Sequence, residues 1–424
     1  MSSEKKLPTS RLQRFSKLAS IGARTGASFL FSRDGKAAAE HAADVLGSMR
    51  GLAAKIGQMA SYVDGIVPEA HREAYEKALK GLRAAAPTSS PEAIKKLVEA
   101  ELGAPIDRLF AEWDDKPMAS ASIGQVHRAR LFDGREVAVK AQHPGIERAI
   151  ETDLTNASVL EGMVSMLGPR ALNSKDVYEE IATRFREELD YTLEAERQRR
   201  FAVIHAGDPQ IVIPDVIADR STQRVLTTIL VRGKSLEEAA LADLAVRTTY
   251  CEVLWRFVYK ANLFGGLFNA DPHPGNYLFR DDGSIAFLDF GCVQPIPEER
   301  VQHARRMHRA ARQRDMSTFE RGAIALLQTR GGGYERAALE YVQLCFAPLL
   351  KSPFHITRKY ATDVVQGVYE LKKHVLGESF VQLPPGMIFM TRLQFGFYSV
   401  LARLDAPADY AAVEAKFFTE AGLE

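Results

Sequence analysis

Three side chains with oxygen donors stand close together within residues 268–291 of the sequence. Asn276 follows Asp271 by five positions, and Asp289 comes directly after a short apolar run. The Asp-Asp-Gly triplet at 281–283 lies between two apolar runs and predicts a hairpin that brings Asn276 and Asp289 together. Carboxylate and amide oxygens are ligands that Mg²⁺ accepts alongside the phosphates of a substrate. We therefore expect Asn276 and Asp289 to bind magnesium and Asp271 to orient or deprotonate an incoming hydroxyl.

The order and spacing of these residues match the phosphoryl-transfer loop of kinases. The interval from Asp271 to Asn276 is that of the D-x-x-x-x-N catalytic loop, and Asp289 opens an Asp-Phe-Gly triplet of the kind that holds magnesium. A lone Asp-Phe-Gly triplet is a weak signal, whereas the three residues in this order are specific. Taken without any upstream partner, the alternative is an ordinary hairpin with solvated turn acids.

An upstream hairpin supplies a candidate partner for the phosphates. An Asp-Gly turn at 133–134 joins two strand-like runs, and the second run reads Val-Ala-Val-Lys and ends in Lys140. In kinases the lysine of such a strand pairs with the α- and β-phosphates of the nucleotide. A later strand-like run, from Arg224 to Gly233, is by position the connection between two lobes. We expect the backbone near Thr228 to contact adenine there.

The loop before this hairpin differs from the glycine-rich loop of ordinary protein kinases. Where G-x-G-x-x-G would cover the phosphates, the chain has Ala119, Ser120, Ala121, Ser122, Ile123 and Gly124. Alanine and serine enter left-handed backbone conformations reluctantly because they carry a Cβ atom. We still expect this loop to bind nucleotide through free backbone N–H groups and serine hydroxyls, in a geometry unlike that of ordinary protein kinases.

The composition of the chain is that of a globular protein with few special constraints. Its 424 residues are enough for two or three domains, and the formal net charge of +1 gives no reason to expect nucleic acid as a partner. The three cysteines have no metal-ligand spacing, and no apolar run approaches the length of a membrane span. Ser90-Pro91 reads as the start of a helix that ends near Gly103.

We divide the chain into four parts from these patterns. They are a basic N-terminal segment with eight basic and two acidic residues (1–36), a helical extension (37–115), a strand-rich lobe (116–234) and a helical lobe (235–424). The basic segment has interleaved apolar residues, so it could lie on a membrane surface, act as a transit peptide or form a poorly ordered tail. The fold class predicted from the later parts is α+β.

The motifs in the chain, taken together, resemble those of the UbiB/AarF (ADCK-like) family of atypical kinases. The first four are Lys55-Ile-Gly-Gln58, the alanine-rich loop with the Gly124-Gln-Val-His127 that follows it, Val-Ala-Val-Lys140, and Glu188-Leu-Asp190 with Glu194. The last two are Asp271-Pro-His-Pro-Gly-Asn276 and Asp289-Phe-Gly291. They occur in the family's order over residues 55–291.

This resemblance implies a protein-kinase-like bilobal fold, with a small and mostly β N-lobe, a large helical C-lobe and a helical N-terminal extension. Glu194 is the expected partner of Lys140. Glu188 and Asp190 form the ExD element, which in the family is thought to interact with the lysine and glutamine of the KxGQ motif, here Lys55 and Gln58. On this basis the extension covers the mouth of the cleft. The expected ligands are ATP or ADP with Mg²⁺.

The sequence departs from the family pattern at two places near the site. Thr228-Ile229 stands where the family usually has Met-Glu, and Asn269 stands where it has a histidine. Asparagine can still form local hydrogen bonds. His273 lies between two prolines and is interpreted as structural rather than as a base. Residues 411–424 are amphipathic and too polar to form the hydrophobic anchor in which many bacterial relatives end.

Three functions are consistent with these observations. The first is an atypical kinase or ATPase in ubiquinone or prenyl-lipid metabolism, and not a general protein kinase. The second is a nucleotide-regulated module that binds or presents a lipid, and the third is a small-molecule phosphotransferase. The expected partners are a nucleotide and a prenyl-lipid or membrane surface. The expected location is the cytoplasm, with peripheral membrane contact or the mitochondrial matrix as alternatives.

Overall fold

The computed structural model describes residues 89–121, 123–154, 182–183, 185–373 and 387–423. The predicted residues Lys55, Gln58 and Ser122 lie outside these ranges. The described chain forms two compact units. The first comprises the described residues up to Ala195 together with Asp215–Leu230, and the second comprises Glu196–Pro214 and the residues from Val231 onward.

The described residues contain strands and helices in mixed order. The strands are β1 (Glu112–Trp113), β2 (Ala119–Ser120), β3 (Gly124–Arg130), β4 (Glu136–Gln142), β5 (Ile211–Val212), β6 (Val225–Ile229), β7 (Leu267–Asn269), β8 (Tyr277–Phe279), β9 (Ile285–Phe287), β10 (Val293–Pro295), β11 (Phe354–His355) and β12 (Pro407–Ala408). The helices are α1 (Pro91–Leu102), α2 (Ile106–Leu109), α3 (Ile146–Leu154), α4 (Tyr191–Ile204), α5 (Leu236–Ala239), α6 (Leu244–Lys260), α7 (Glu298–Gln313), α8 (Met316–Leu327), α9 (Gly332–Cys345), α10 (Ala347–Leu350), α11 (Arg358–Lys373), α12 (Met387–Leu404) and α13 (Tyr410–Glu420).

A five-stranded antiparallel sheet forms the centre of the first unit. Its order is β1-β3-β4-β6, and β2 pairs with the other end of β3. The predicted Asp-Gly turn joins β3 to β4, with Gly134 at a φ of 89° that glycine adopts without steric cost. Apolar residues of α1 and α2 are buried against this sheet in one core, which includes Ile94, Phe110 and Val139.

The start of α1 follows the capping pattern read from the sequence. The Ser90 side chain accepts a hydrogen bond from the backbone N–H of Ala93 at 3.3 Å, and Pro91 occupies the first turn. Gly103 ends the helix at a φ of 74°. Because these groups satisfy backbone donors and acceptors at both helix ends, the prediction of this helix is confirmed.

The second unit combines small sheets with nine helices, α5 to α13, among its described residues. The predicted hairpin is present as β8 and β9, and β5 adds to β9 in parallel. A separate pair, β7 and β10, flanks the loop that contains Asp271. Helix α6 contributes buried residues from its C-terminal half, including Trp255 and Phe257. Among helices within the described ranges, none is both long and apolar enough to cross a membrane.

Candidate functional site

Lys140 and Glu194 form a buried ion pair in the first unit. The Lys140 Nζ atom donates to both carboxylate oxygens of Glu194, at 2.8 and 3.0 Å. The two side chains are only 15% and 5% exposed. Nζ also lies 5.0 Å from the centre of the Tyr191 ring, where the negative face of the ring favours a cation. The structure therefore places together the lysine and the glutamate that the sequence singled out.

The position of Glu194 depends on how helix α4 begins. Asp190 accepts hydrogen bonds from the backbone N–H and the hydroxyl of Thr192, at 2.9 and 2.5 Å, and so caps the first turn. The buried Gln142, two residues beyond Lys140 on β4, donates its amide N–H to the carbonyl of Leu189 at 2.7 Å. These contacts fix the start of α4 to the strand that carries the lysine.

Glu188 and Asp190, the predicted ExD residues, flank this junction. Glu188 is half-buried and ends a short helical stretch, and Asp190 has the capping role described above. Their predicted partners, Lys55 and Gln58, fall outside the described residues. The cap is a contribution of Asp190 that sequence reasoning did not anticipate.

The alanine-rich loop is a tight turn between β2 and β3. The Ala121 N–H donates to the carbonyl of Gly124 at 2.8 Å, and the Ile123 carbonyl accepts from the N–H of His143 at 2.9 Å. The Ile123 side chain is buried. The expectation of free backbone N–H groups therefore requires correction at Ala121, since its donor already has a partner within the turn. Ala119 and Ser120 are exposed in β2.

Gly124 ends this turn where the backbone of β4 comes very close. A Cβ atom at Gly124 would lie 2.4 Å from the carbonyl oxygen of Ala141 and 2.9 Å from the hydroxyl oxygen of Tyr191. Backbone cannot move away as a flexible side chain can, so only glycine fits here. The turn is thereby held against the strand that carries Lys140.

Thr228 lies inside β6 rather than in an open connection. It is paired with Ala138 of β4, and an isolated bridge joins it to Val216 on the other side. Its backbone therefore belongs to the sheet, whereas we had expected the backbone here to contact adenine. The Thr228 side chain is half-buried.

Asn269 holds the loop of the second unit that contains the predicted metal ligands. Its Oδ1 atom accepts from the backbone N–H of Asp271 at 3.0 Å, and its Nδ2 atom donates to the backbone carbonyl of Asp289 at 2.9 Å. One side chain thus joins the catalytic loop to the Asp-Phe-Gly turn. Sequence reasoning noted Asn269 only as a departure from the family and did not anticipate this bridge.

Asn276 closes the same loop from its other end. Its side-chain Nδ2 atom donates to the backbone carbonyl of Asp271 at 3.2 Å, and its backbone carbonyl accepts from the N–H of Leu288 at 2.8 Å. Because the side-chain amide nitrogen of Asn276 is hydrogen-bonded to the Asp271 carbonyl, the side-chain amide oxygen points away from that carbonyl. His273 accepts from the N–H of Gly275 at 2.9 Å and caps the short turn before Asn276. This is the structural position that the sequence suggested for His273.

Asp289 adopts a left-handed backbone conformation with a φ of 58°. Asp and Asn tolerate this region better than most residues because their short side chains bond locally. Here Oδ1 of Asp289 accepts from the N–H of Gly291 at 3.1 Å. The next residue, Phe290, is fully buried and its ring centre lies 5.1 Å from that of Phe201 on α4.

Arg197 is a further residue that contacts this turn. It is buried on α4, and its Nη1 atom donates to the carbonyl of Gly291 at 2.8 Å. The only signal for it in the sequence is its place three residues after Glu194, which puts it on a neighbouring part of the same helix face. A distance of 94 positions along the chain separates Arg197 from Gly291.

The loop carries two of the side-chain oxygen donors that the sequence predicts as metal ligands. Across the described residues, no group of three or more His, Cys, Asp or Glu side chains is placed to hold a metal ion. Asn276 and Asp289 offer an amide and a carboxylate oxygen, and their segments are held together by the Leu288–Asn276 and Asn269–Asp289 hydrogen bonds. Mg²⁺ is commonly bound by one or two such ligands, with phosphates and water completing its coordination.

Comparison with known proteins points to one family. The family model described as the ABC1 atypical kinase-like domain matches residues 81–321. The chain is similar to the atypical kinase COQ8B, mitochondrial, of Danio rerio, with 32% identity over 67% of this chain and 45% of that protein. It is also similar to the chloroplastic protein ACTIVITY OF BC1 COMPLEX KINASE 7 of Arabidopsis thaliana, with 35% identity over 57% of this chain and 35% of that protein. The match therefore spans less than half the length of either relative.

A solved structure resembles the chain over nearly its whole length. It is the complex of Rv3197 from Mycobacterium tuberculosis with erythromycin, which matches with a TM-score of 0.62 and 26% sequence identity. The match covers 96% of this chain and 97% of the other.

Proposed function

Because the chain belongs to the ABC1 atypical kinase-like family and has its kinase-like fold, we propose that it binds ATP with Mg²⁺ and acts as an atypical kinase or ATPase. The single observation that carries the proposal is the Lys140–Glu194 pair. Burying two charges is costly, and replacing such a pair by apolar residues is often neutral or stabilising. Such a pair is therefore better explained by a function than by its contribution to stability. Positioning a lysine to bind phosphate is the function that fits its place in the fold.

In this proposal Lys140 binds the α- and β-phosphates of the nucleotide, and Glu194 keeps its ammonium group in place. The turn at Ala119, Ser120 and Ala121 would lie over the phosphates, and the chain around Thr228 would lie beside the base. The short distance between Gly124 and the Ala141 carbonyl supports a fixed position for that turn.

In the second unit, Asn276 and Asp289 would hold Mg²⁺, which when bound supplies positive charge to neutralise the transferred phosphoryl group. Asp271 would orient or deprotonate the attacking hydroxyl or water. The hydrogen bonds of Asn269 and Asn276 support these roles, because they set the backbone positions of both aspartates before any ligand binds. Groups that are already in place need no reorganisation during the reaction.

For the acceptor, we propose a molecule of ubiquinone or other prenyl-lipid metabolism. The support is the sequence resemblance and the similarity to an atypical kinase COQ8B. A second candidate is a small organic molecule, which is favoured by the erythromycin complex of the similar M. tuberculosis protein. A third is that nucleotide hydrolysis drives the presentation of a lipid and no phosphate is transferred.

We also propose that Lys55 and Gln58 act on the nucleotide site through Glu188 and Asp190. This proposal rests on the family resemblance alone. Replacing Lys55 with alanine should change nucleotide affinity, hydrolysis or autophosphorylation. If all three were unchanged, the covering role of the extension would be wrong.

Radiolabelled γ-phosphate from ATP distinguishes the three candidate functions. The full chain is incubated with [γ-³²P]ATP and Mg²⁺ in the presence of prenylquinone precursors, of erythromycin-like small molecules, or of lipid vesicles. Label in a quinone precursor supports the first function, and label in a small molecule supports the second. Release only as free phosphate supports the third. No ATP consumption under any of these conditions, with correctly folded protein, would contradict the proposed activity.

A further inference from the structure

A cavity in the second unit is lined by arginines and apolar side chains. These side chains come from segments of the chain other than those of the proposed nucleotide site. The cavity has a volume of about 170 Å³ and lies between α7 and the end of the chain around α13. Its lining residues are Gln302, Arg305, Arg306, Arg309, Phe418 and Leu423. We propose that this cavity binds a phosphate group that carries a short apolar substituent. This role is separate from the proposed nucleotide site.

The three arginines come from one face of α7. Arg305, Arg306 and Arg309 are spaced so that their side chains lie on adjacent parts of the helix surface. Within the described part of the chain, neither Arg306 nor Arg309 has an ion-pair or hydrogen-bond partner, and the Nε atom of Arg309 is buried. That buried Nε atom does not face the cavity, but the terminal nitrogens of both guanidinium groups are not buried and can donate to an anion there. Concentrated positive charge with unused donors thus predicts an anionic ligand.

Arg305 is held in place before any ligand binds. Its Nε atom donates to the carbonyl of Leu263 at 2.5 Å, and its guanidinium carbon lies 5.1 Å from the centre of the Phe264 ring. These contacts use one N–H group and one face of the guanidinium, so its terminal nitrogens remain for the cavity. A planar guanidinium with paired donors matches the oxygens of phosphate, and fixing it in advance reduces the entropy lost on binding.

The opposite wall of the cavity is apolar and firmly anchored. Phe418 lies on α13, and the Arg312 guanidinium carbon is 4.3 Å from its ring centre. On the same helix, the fully buried Glu414 accepts from the indole N–H of Trp255 at 3.0 Å and lies 3.0 Å from Nδ1 of His308. The buried network fixes α13 against α6 and α7, and therefore fixes Phe418 relative to the arginines. Phosphate alone would leave this apolar wall unused.

Titration of the chain with n-butyl phosphate and with inorganic phosphate tests the site. Both are followed by calorimetry at constant ionic strength, with sodium chloride as the balancing salt. We expect saturable binding of butyl phosphate at one site that the arginines control, with inorganic phosphate weaker. Arg309→Gln should weaken binding about tenfold, because a charge-assisted hydrogen bond to the phosphate is lost. Arg306→Gln provides a second variant at a more exposed position.

Arg330→Gln is the matched control, since it removes the same charge from an exposed residue that does not line the cavity. It should bind butyl phosphate as the wild type does. Thermal melts without ligand establish that the cavity variants fold. Equal affinity of the wild type and both cavity variants would overturn the site. Equal affinity for inorganic and butyl phosphate would overturn the apolar part and identify free phosphate as the ligand.

Discussion

At the scale of single residues, the Asn269 side chain links the two segments of the second unit that contain Asp271 and Asp289. Its side chain accepts from Asp271 and donates to Asp289, so it sets the backbone on both sides of the proposed magnesium site. Asn269→Asp keeps the shape and the acceptor but replaces the donor with an oxygen. We expect the variant to fold and to lose most of its stabilisation by ATP and Mg²⁺, because the Asp289 carbonyl would face a carboxylate.

Thermal melts with and without ATP and Mg²⁺ measure this effect. Asn269→His, which introduces the residue that the family usually has here, is the comparison and should retain more stabilisation than Asn269→Asp. An Asn269→Asp protein with the full wild-type response to nucleotide would show that the bridge is not needed for binding.

His205 is a second residue with a measurable consequence. It lies buried directly after the end of α4 and stacks on Phe257, with ring centres 5.0 Å apart. Burial, followed by the positive charge of Lys260, lowers the pKa of His205 from 6.5 to about 3. The unfolded chain therefore binds a proton between these pH values that the folded chain does not. Stability is unaffected by this group above pH 6.5 and falls as the pH drops from there toward 3.

We expect this group to cost about 2 kcal/mol of stability between pH 7 and pH 5, because each pH unit within the window is worth at most about 1.4 kcal/mol. Urea unfolding at both pH values, followed by circular dichroism, measures the loss. His205→Phe removes the titration and keeps an aromatic ring against Phe257, so its loss should be smaller by about that amount. Equal losses in the two proteins would mean that His205 is not buried in its neutral form.

At the scale of elements, α4 carries two side chains that make contacts in the candidate site. Glu194 in its first turn pairs with Lys140, and Arg197 one turn later donates to Gly291. The helix begins at a cap made by Asp190 and is fixed there by the contact from Gln142 to Leu189. Each contact lies within one unit: Glu194 and Lys140 belong to the first, and Arg197 and Gly291 belong to the second.

Gly124 provides a test of the close packing between β3, β4 and the start of α4. Gly124→Ala would place a methyl group 2.4 Å from the Ala141 carbonyl, so the strands must separate. We expect the variant to lose about 1–3 kcal/mol of stability, as is usual for overpacked positions. Nucleotide affinity should fall with it, because the alanine-rich turn and Lys140 would shift.

Gly333→Ala is the matched control for this substitution, since a Cβ atom there meets nothing within 4 Å. It lies in the first turn of α9, where alanine is a better helix former than glycine, so its stability should be unchanged or slightly higher. Urea unfolding of both variants makes the comparison. A Gly124→Ala protein as stable as Gly333→Ala would contradict the close approach.

At the scale of the whole molecule, local sequence signals predicted elements well and long-range contacts poorly. The Asp-Gly turn between β3 and β4, the hairpin of β8 and β9, and the capped helix α1 all follow from a few adjacent residues. The family resemblance predicted the kinase-like fold, which the solved M. tuberculosis structure confirms. Such features depend on backbone preferences or on whole motifs, and both can be read along one stretch of chain.

The contacts that were missed join residues far apart in the sequence. Arg197 reaches Gly291, and Asn269 reaches Asp289 across 20 positions. The pairing of Thr228 within the sheet and the bond from Ala121 to Gly124 depend on the register and tightness of particular strands and turns. Residue type alone does not determine these details, so the sequence did not predict the partners that the backbone groups of Thr228 and Ala121 have in the structure.

The most direct test of the proposed ATP–magnesium site is the thermal stabilisation of the full chain by ATP, with and without Mg²⁺, in the wild type and in Asp289→Asn. The substitution keeps the shape of the side chain but removes the negative charge expected to bind the metal. Asp281→Asn, in the exposed turn of the β8–β9 hairpin, removes the same charge as a control. We expect a magnesium-dependent rise in melting temperature for the wild type and Asp281→Asn, and none for Asp289→Asn. The same rise in all three proteins would show that Asp289 does not bind the metal.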